Sequence, residues 1–308
     1  MFGPRFAHLN VRSYFSMKDG AFSPEDLAVR TAELGMPAVA ITDRDGLYGS
    51  ARFADACRRV DVRPIFGATL TIRTIRGDRR VTLLAKDAAG YGNICRLITA
   101  AHMSGERGDP ALTTGQACER AAGVICLLGP ESEPGSLAAS GRPEAAVIAL
   151  SPWRDAFGRH DLFVEVQHRK EEHSPAEIRR LLQLAGDAGV QAVATNGVRY
   201  LLPEDAFIAD ILECMREIVP LASHHLTRRN AEGYLKSAQE MRGLFAERPD
   251  LCDRTLDIAE ACRFDIGLGQ IHFPDGPASP VGVDHRHARA PLLAISRQDG
   301  VVHVLAPG

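Results

Sequence analysis

Short aliphatic runs with almost no charge, each followed by a loop and a helical stretch, recur along the first two-thirds of this chain. Ala38-Val39-Ala40-Ile41 is the clearest of them. A run with no polar alternation is the mark of a strand covered on both faces, as in a parallel sheet. Pro64-Ile65-Phe66-Gly67, Val81–Ala85, Val124–Leu128, Leu162–Val166 and Ala192–Thr195 read the same way, and a first strand begins near Phe6. Helical stretches lie between them at Gly49–Arg59, Gly92–Ala101, Ala176–Ala188 and Pro203–Met215. The first helix has an explicit start: Ser23 can cap, Pro24 suits the first turn, and Glu25 and Asp26 favour the positive helix end. Gly35 ends it before Pro37.

Six or seven such units in about 200 residues imply a closed barrel more than an open sheet. No GxGxxG follows the first strand, which removes the main signature of the doubly wound alternative. The expected fold class is therefore α/β, a distorted parallel (β/α)7-type barrel followed by a short helical segment. Three regions are expected: a barrel over 1–210, a helical linker over 211–275, and an irregular or disordered tail over 276–308. The tail is rich in Pro, Ala, Arg, His and Val and lacks an amphipathic period.

Composition narrows the function classes. A net charge of −3 over 308 residues gives no electrostatic groove for nucleic acid, so DNA contact is expected to be weak or indirect. No apolar run reaches membrane-span length and no signal-peptide core is present, so a cytoplasmic location is expected. The 7 cysteines show no CxxC spacing and read as reduced, mostly buried thiols. In a barrel, side chains at the carboxyl ends of strands form the site. Here those ends carry His8, Asn10, Asp43, Arg44, Thr69, Glu165, Gln167, Asn196 and Arg199.

Several segments resemble the N-terminal polymerase-and-histidinol-phosphatase (PHP) domain of bacterial C-family DNA polymerases, replicative or error-prone. They are His8–Ser16 with Asp19-Gly20, Leu34–Asp43, Gly46-Leu47-Tyr48-Gly49, Pro64–Gly67, Leu83–Lys86 with Gly90–Asn93, Val193–Tyr200 and Tyr234–Ser237. The resemblance runs from about residue 6 to 275 and stops near Phe273-Pro274-Asp275-Gly276, where relatives enter the polymerase palm. A truncated or frameshifted polymerase gene and a stand-alone domain are both compatible with that stop.

The resemblance implies about nine ligands around a three-metal centre that hydrolyses phosphate esters in metal-competent relatives. Carried across by motif, His8 and Asp19 remain. The other ligand positions fall at Asn10, Arg44, Thr69, Arg80, Pro130, Gly197 and Arg199. No cofactor is therefore expected, although Zn, Mn or Mg serves metal-competent relatives. Arg44, Arg80 and Arg199 are expected to supply the missing positive charge, pairing with Asp19, Asp43 or Glu165, or to bind an anion such as phosphate. The resulting expectation is a non-catalytic module of DNA replication or repair synthesis. Its implied partners are a polymerase body or a proofreading exonuclease subunit. The alternative is a metal-dependent phosphoesterase or 3′–5′ exonuclease working with a reduced set: His8, Asp19, Asp43 and Glu165. Each of these four also has a plain structural reading as a hydrogen-bonded strand-end, turn or cap residue.

Overall fold

The computed structural model describes residues 5–104, 108–221 and 230–269, and the backbone of 294–298 and 301–305. One compact unit extends to Leu268, and Gly269–Gly308 form a second.

The first unit opens with α1 (Pro24–Glu33), whose N-terminus is capped by the Ser23 hydroxyl accepting from Asp26 N–H. There follow β1 (Ala38–Arg44), α2 (Ser50–Arg59), β2 (Arg63–Thr74), β3 (Gly77–Ala85), α3 (Ala88–Ser104) and α4 (Thr114–Cys118). Next come β4 (Val124–Leu128), α5 (Glu133–Ala139), α6 (Pro143–Asp161), β5 (Leu162–Gln167), α7 (Ser174–Ala188) and β6 (Gln191–Thr195). Three helices close it: α8 (Ala206–Glu217), α9 (Ala238–Leu244) and α10 (Pro249–Ala261).

The six strands lie in one sheet in chain order, β1 to β6. The residues before α1 join its two edges. Ala40 N–H donates to His8 O and Thr42 N–H to Val11 O on the β1 side. Val198 N–H donates to Asn10 O and Arg12 N–H to Val198 O just past β6. The N-terminal segment thus acts as a seventh stave, and the sheet curls into the expected α/β barrel.

The barrel differs from the expectation in one respect: it is mixed, not wholly parallel. β3 runs antiparallel to both β2 and β4. The cause is local. Thr74 pairs directly with Gly77 across a two-residue connection, and Gly77 takes φ 91°, a conformation open to glycine. The reversal has a functional consequence. It brings the start of β3, including Arg80, to the end of the barrel where the parallel strands finish.

Side chains alternate along the six strands. Ala38 and Ala40, Ile65, Leu84, Ile125 and Leu127, Phe163, and Val193 fill the barrel interior. Their neighbours Val39, Ile41, Phe66, Leu83, Cys126, Val164 and Ala194 face the helices. Ile258, Ala259 and Cys262, at and just beyond the end of α10, pack into the interior cluster and close one end of the barrel. The stretch expected as a linker over 211–275 therefore contributes core to the barrel unit. Burying those three side chains is worth several kcal/mol, at about 25 cal/mol per Å².

In the second unit, Ala294–Gln298 and Val301–Leu305 pair antiparallel as β7 and β8, within the stretch expected to be irregular. Val301, Val302 and Val304 supply the β-branched content that the surrounding Pro, Arg and His obscured. Phe273–Gly276 lie outside the described residues. No helix among the described residues is long and apolar enough to cross a membrane.

Candidate functional site

The interior-facing parity continues past the apolar layer and changes character at the open end. Following the strands outward gives Thr42, Thr69 and Thr71, Thr82 and Arg80, and Gly129 and Glu131, while the N-terminal stave, with Ala7 and Leu9 in the interior, shifts parity before it adds Asn10 and Arg12. The last two staves add Glu165, Gln167 and Arg169, then Thr195, Gly197 and Arg199. A polar ring thus sits on an apolar plug.

Its centre is a network of guanidinium and carboxylate groups. Arg12 Nη1 donates to Asp19 Oδ2 at 3.2 Å and Nη2 to Glu131 Oε2 at 2.7 Å. Arg199 Nε lies 3.4 Å from Asp19 Oδ1, and its Nη2 donates to Glu131 Oε1 at 3.1 Å. Arg80 adds a longer contact to Glu131, 3.7 Å. Arg12 and Asp19 are almost wholly buried, at 3 % and 4 % exposure. Burial pushes the Asp19 carboxyl up, but Arg199 and Arg12 outweigh it and bring it down to about 2. The same contest leaves Glu131 well below the usual carboxylate range, through Arg12, Arg199 and Arg80. Arg12 stays firmly cationic, since Glu131 and Asp19 more than offset its burial.

Glu165 is held differently. Its Oε1 accepts from Asn10 Nδ2 at 2.8 Å, from Gln167 Nε2 at 2.9 Å and from the Thr195 hydroxyl. Glycine at 129 is required here: a Cβ would stand 2.3 Å from Glu165 Oε2. Asp43 accepts from Ser13 N–H at 2.7 Å and from the Ser13 and Ser16 hydroxyls, while burial holds its pKa above the usual value. Thr69 bonds Thr42 O and the Thr82 hydroxyl. His8 is fully buried, and its ring meets Phe6 edge-on, centroids 4.9 Å apart. Its Nε2–H donates to Lys236 O at 2.8 Å, since a carbonyl can only accept, which leaves Nδ1 unprotonated and without a partner. Burial lowers its pKa to about 4.

The expected arginine pairings are redistributed. Arg199 does meet Asp19, but Arg80 meets Glu131, and Arg44 turns to Asp45 at 3.3 Å. None of the three pairs with Asp43 or Glu165 in the described structure. Pro130 and Gly197 contribute backbone, and Gly197 takes φ 56°. Sequence reasoning missed Glu131, Arg12 and Arg169. For Glu131 and Arg169 the signal was available, because extending the period-2 parity of β4 and β5 points them inward; for Arg12 it was not, because Ala7 and Leu9 face the interior and strict alternation would turn residue 12 outward.

A divalent cluster does not fit these residues. Both oxygens of Asp19 and of Glu131 face guanidinium groups, Asp43 accepts from hydroxyl and backbone donors, Glu165 Oε1 accepts from two amides and a hydroxyl, and His8 is tied to a carbonyl. Among the described residues no three His, Cys, Asp or Glu side chains converge as a metal site. The space between Asn10, Thr69, Arg80 and Glu165 measures about 10 Å³, room for one water molecule at most.

The Asp19 loop depends on Gly20, where a Cβ would lie 2.1 Å from Ser13 O and 2.3 Å from Arg12 O. Gly20→Ala should destabilise the barrel by about 1–3 kcal/mol, because backbone has to move. It should also detach Asp19 from Arg12. Urea unfolding checks the first expectation, and loss of the low Asp19 pKa in a carboxylate NMR titration checks the second.

Residues 8–169 match the family described as the PHP domain. The DNA polymerase III subunit alpha of Pseudomonas aeruginosa is 32% identical over 292 residues, covering 92% of this chain and 25% of that protein. The error-prone DNA polymerase of Symbiobacterium thermophilum is 36% identical over 297 residues, covering 88% of this chain and 27% of that protein. The chain thus spans about a quarter of the length of these curated relatives. A solved structure from Bifidobacterium adolescentis, described as a candidate metal-dependent phosphoesterase, superposes with a TM-score of 0.44 at 15% identity, covering 63% of this chain and 88% of that one. With the family matched over more than half its length, this chain belongs to the PHP domain family, and its sequence relatives are DNA polymerase III alpha subunits and error-prone DNA polymerases.

Proposed function

We propose that this PHP domain is non-catalytic and serves a structural or partner-docking role in the machinery of DNA replication or repair synthesis. One observation carries the reading: guanidinium groups of Arg12 and Arg199 occupy both oxygens of Asp19 and Glu131, the position from which carboxylates would otherwise hold cations. Fixed cations neutralise buried carboxylates without a metal, and they supply no activated water and no Lewis acid. Asp19 is the one retained ligand position in this network; Asp43, Glu165 and His8 are each engaged elsewhere.

A docking role is supported by α8. Phe207, Ile208, Ile211 and Met215 lie on it with exposures between 38 % and 57 %, and Ile218 just beyond it is 89 % exposed. A helix that leaves such a stripe uncovered is suited to a partner surface. The polymerase body and a proofreading exonuclease subunit are the proposed partners, by relation to the alpha subunits.

The test is metal content and hydrolysis together. After dialysis against manganese and zinc, elemental mass spectrometry should find fewer than about 0.2 ions per chain. The protein should not hydrolyse p-nitrophenyl phosphate or shorten a primed DNA 3′ end. One or more tightly held ions with metal-dependent hydrolysis would overturn the reading and restore the reduced-ligand phosphoesterase, with His8 and Asp19 as the first positions to mutate.

A further inference from the structure

The uncovered face of α8 has a spacing of its own. Ile208, Ile211, Met215 and Ile218 follow one another at intervals of three, four and three residues. Side chains three and four apart share one face of a helix, and this alternation is the interval of a seam against a second helix. Exposures of 44 %, 38 %, 55 % and 89 % leave all four accessible, with Phe207 beside them at 57 %. The last turn of α8 is tied to the loop that carries Asp19. Lys18 Nζ donates to Met215 O at 3.3 Å, and Arg216 Nη1 donates to Lys18 O at 3.4 Å. Met17, 80 % exposed, therefore lies in the loop beside that turn and adds to the apolar surface.

The order three, four, three reads the same from either end. A stripe of that kind meets its own antiparallel copy layer for layer: Ile208 against Ile218 of the second copy, and Ile211 against Met215 of the second copy. A two-fold pair so formed is closed, because each copy uses the same patch. Charge favours the antiparallel sense. Glu204, one turn before Ile208, and Lys18, beside Met215, form no ion pair among the described residues. Reversing one copy brings Glu204 of one chain and Lys18 of the other to the same end, whereas a parallel pair sets like against like. Area sets the strength. An interface of standard size buries about 800 Å² on each partner. With 12 residues α8 is about 18 Å long, so its stripe supplies an interface at the small end of that scale, and the pairing is reversible.

We propose that two copies of this chain pair through α8, antiparallel and two-fold, with Ile208, Ile211, Met215 and Ile218 as the seam. Self-pairing rests on the reading of α8 as a docking face and deepens it. The face that a polymerase body or an exonuclease subunit would take is closed by a second copy until such a partner displaces it. The two associations therefore exclude each other.

Sedimentation equilibrium of the full chain, over a concentration series spanning the micromolar range, tests it. The average mass should rise from one chain to two and no further. Ile211→Asp and Met215→Lys should each weaken the pairing by about 100-fold, because either buries a charge without a partner. An equimolar mixture of the two variants should recover it, since residues 211 and 215 of opposite copies face each other and now carry opposite charge. Urea unfolding checks that both variants fold. If either does not, Ile208→Lys and Ile218→Asp, at the more exposed outer layer, replace them. A chain that stays single throughout, pairing untouched by the substitutions, growth beyond two copies, or a mixture that stays single while the wild-type protein pairs overturns the proposal. The first of these results leaves α8 as a docking face for a different protein, so the two readings fail separately.

Discussion

Replacing Arg12 by alanine should cost the barrel about 3–5 kcal/mol, the cost of stripping one partner from a buried ion pair. Asp19 would keep only Arg199 at 3.4 Å, and Glu131 only Arg199 and Arg80. The Arg12 stem would also leave a void at a position 3 % exposed. For a domain of this size the melting temperature should fall by roughly 6–15 °C. Arg44→Ala is the control. Its pair with Asp45 involves a side chain 33 % exposed, so the loss should stay below about 1 kcal/mol. Equal effects of the two substitutions in urea unfolding would show that the Arg12 network does not hold the barrel mouth together. The Arg12→Ala deficit should also shrink in acid. Asp19 ionises near 2 in the fold against 3.8 in the free side chain, so its contribution is complete above 3.8 and fades as the pH falls towards 2.

His8 should make the protein acid-sensitive in a higher window. Its pKa falls from 6.5 to about 4 because burial penalises the imidazolium, and Nδ1 has no acceptor for a second proton. Between those values the unfolded chain binds a proton that the fold refuses. Stability is therefore intact above 6.5 and declines as the pH falls towards 4. The shift corresponds to about 3 kcal/mol, at 1.36 kcal/mol per pH unit. Asp43 acts in the opposite sense. Its raised pKa lets the fold take up a proton before the unfolded chain does, offsetting part of the loss near and above 3.8. Stability measured by urea at pH 7, 5.5 and 4.5 should fall steadily for the wild-type protein. His8→Asn keeps a donor for Lys236 O but cannot titrate, so it should be less stable at pH 7 and nearly flat down to pH 4.5. Parallel curves for the two proteins would exclude His8 as the source.

Much of the fold was readable in the chain. Charge-free runs such as Ala38–Ile41 and Val124–Leu128 announced strands covered on both faces, and the Ser23-Pro24 start placed α1 within a residue. The reversal of β3 was not readable as an orientation, because Val81–Ala85 has the same composition whichever way it runs. Only the tight Thr74–Gly77 connection decides it. The helix α10 looked like a linker because an amphipathic period says that a face is buried, not against what. That Ile258 and Cys262 enter the barrel was settled by where the chain returned.

The candidate site divides along the same line. The residue types at the strand ends, arginine and asparagine among them, were readable in the chain, and along β1 to β6 period-2 parity fixes which side chains face the barrel mouth. Pairing was decided in three dimensions. Arg12 and Glu131 lie 119 positions apart in sequence, and they became partners through the closure of the first stave and the carboxyl end of β4 around one small space. Coulomb attraction at contact distance and the cost of desolvating an unmatched charge act between neighbours in space, and sequence spacing does not encode those neighbours once a barrel has closed.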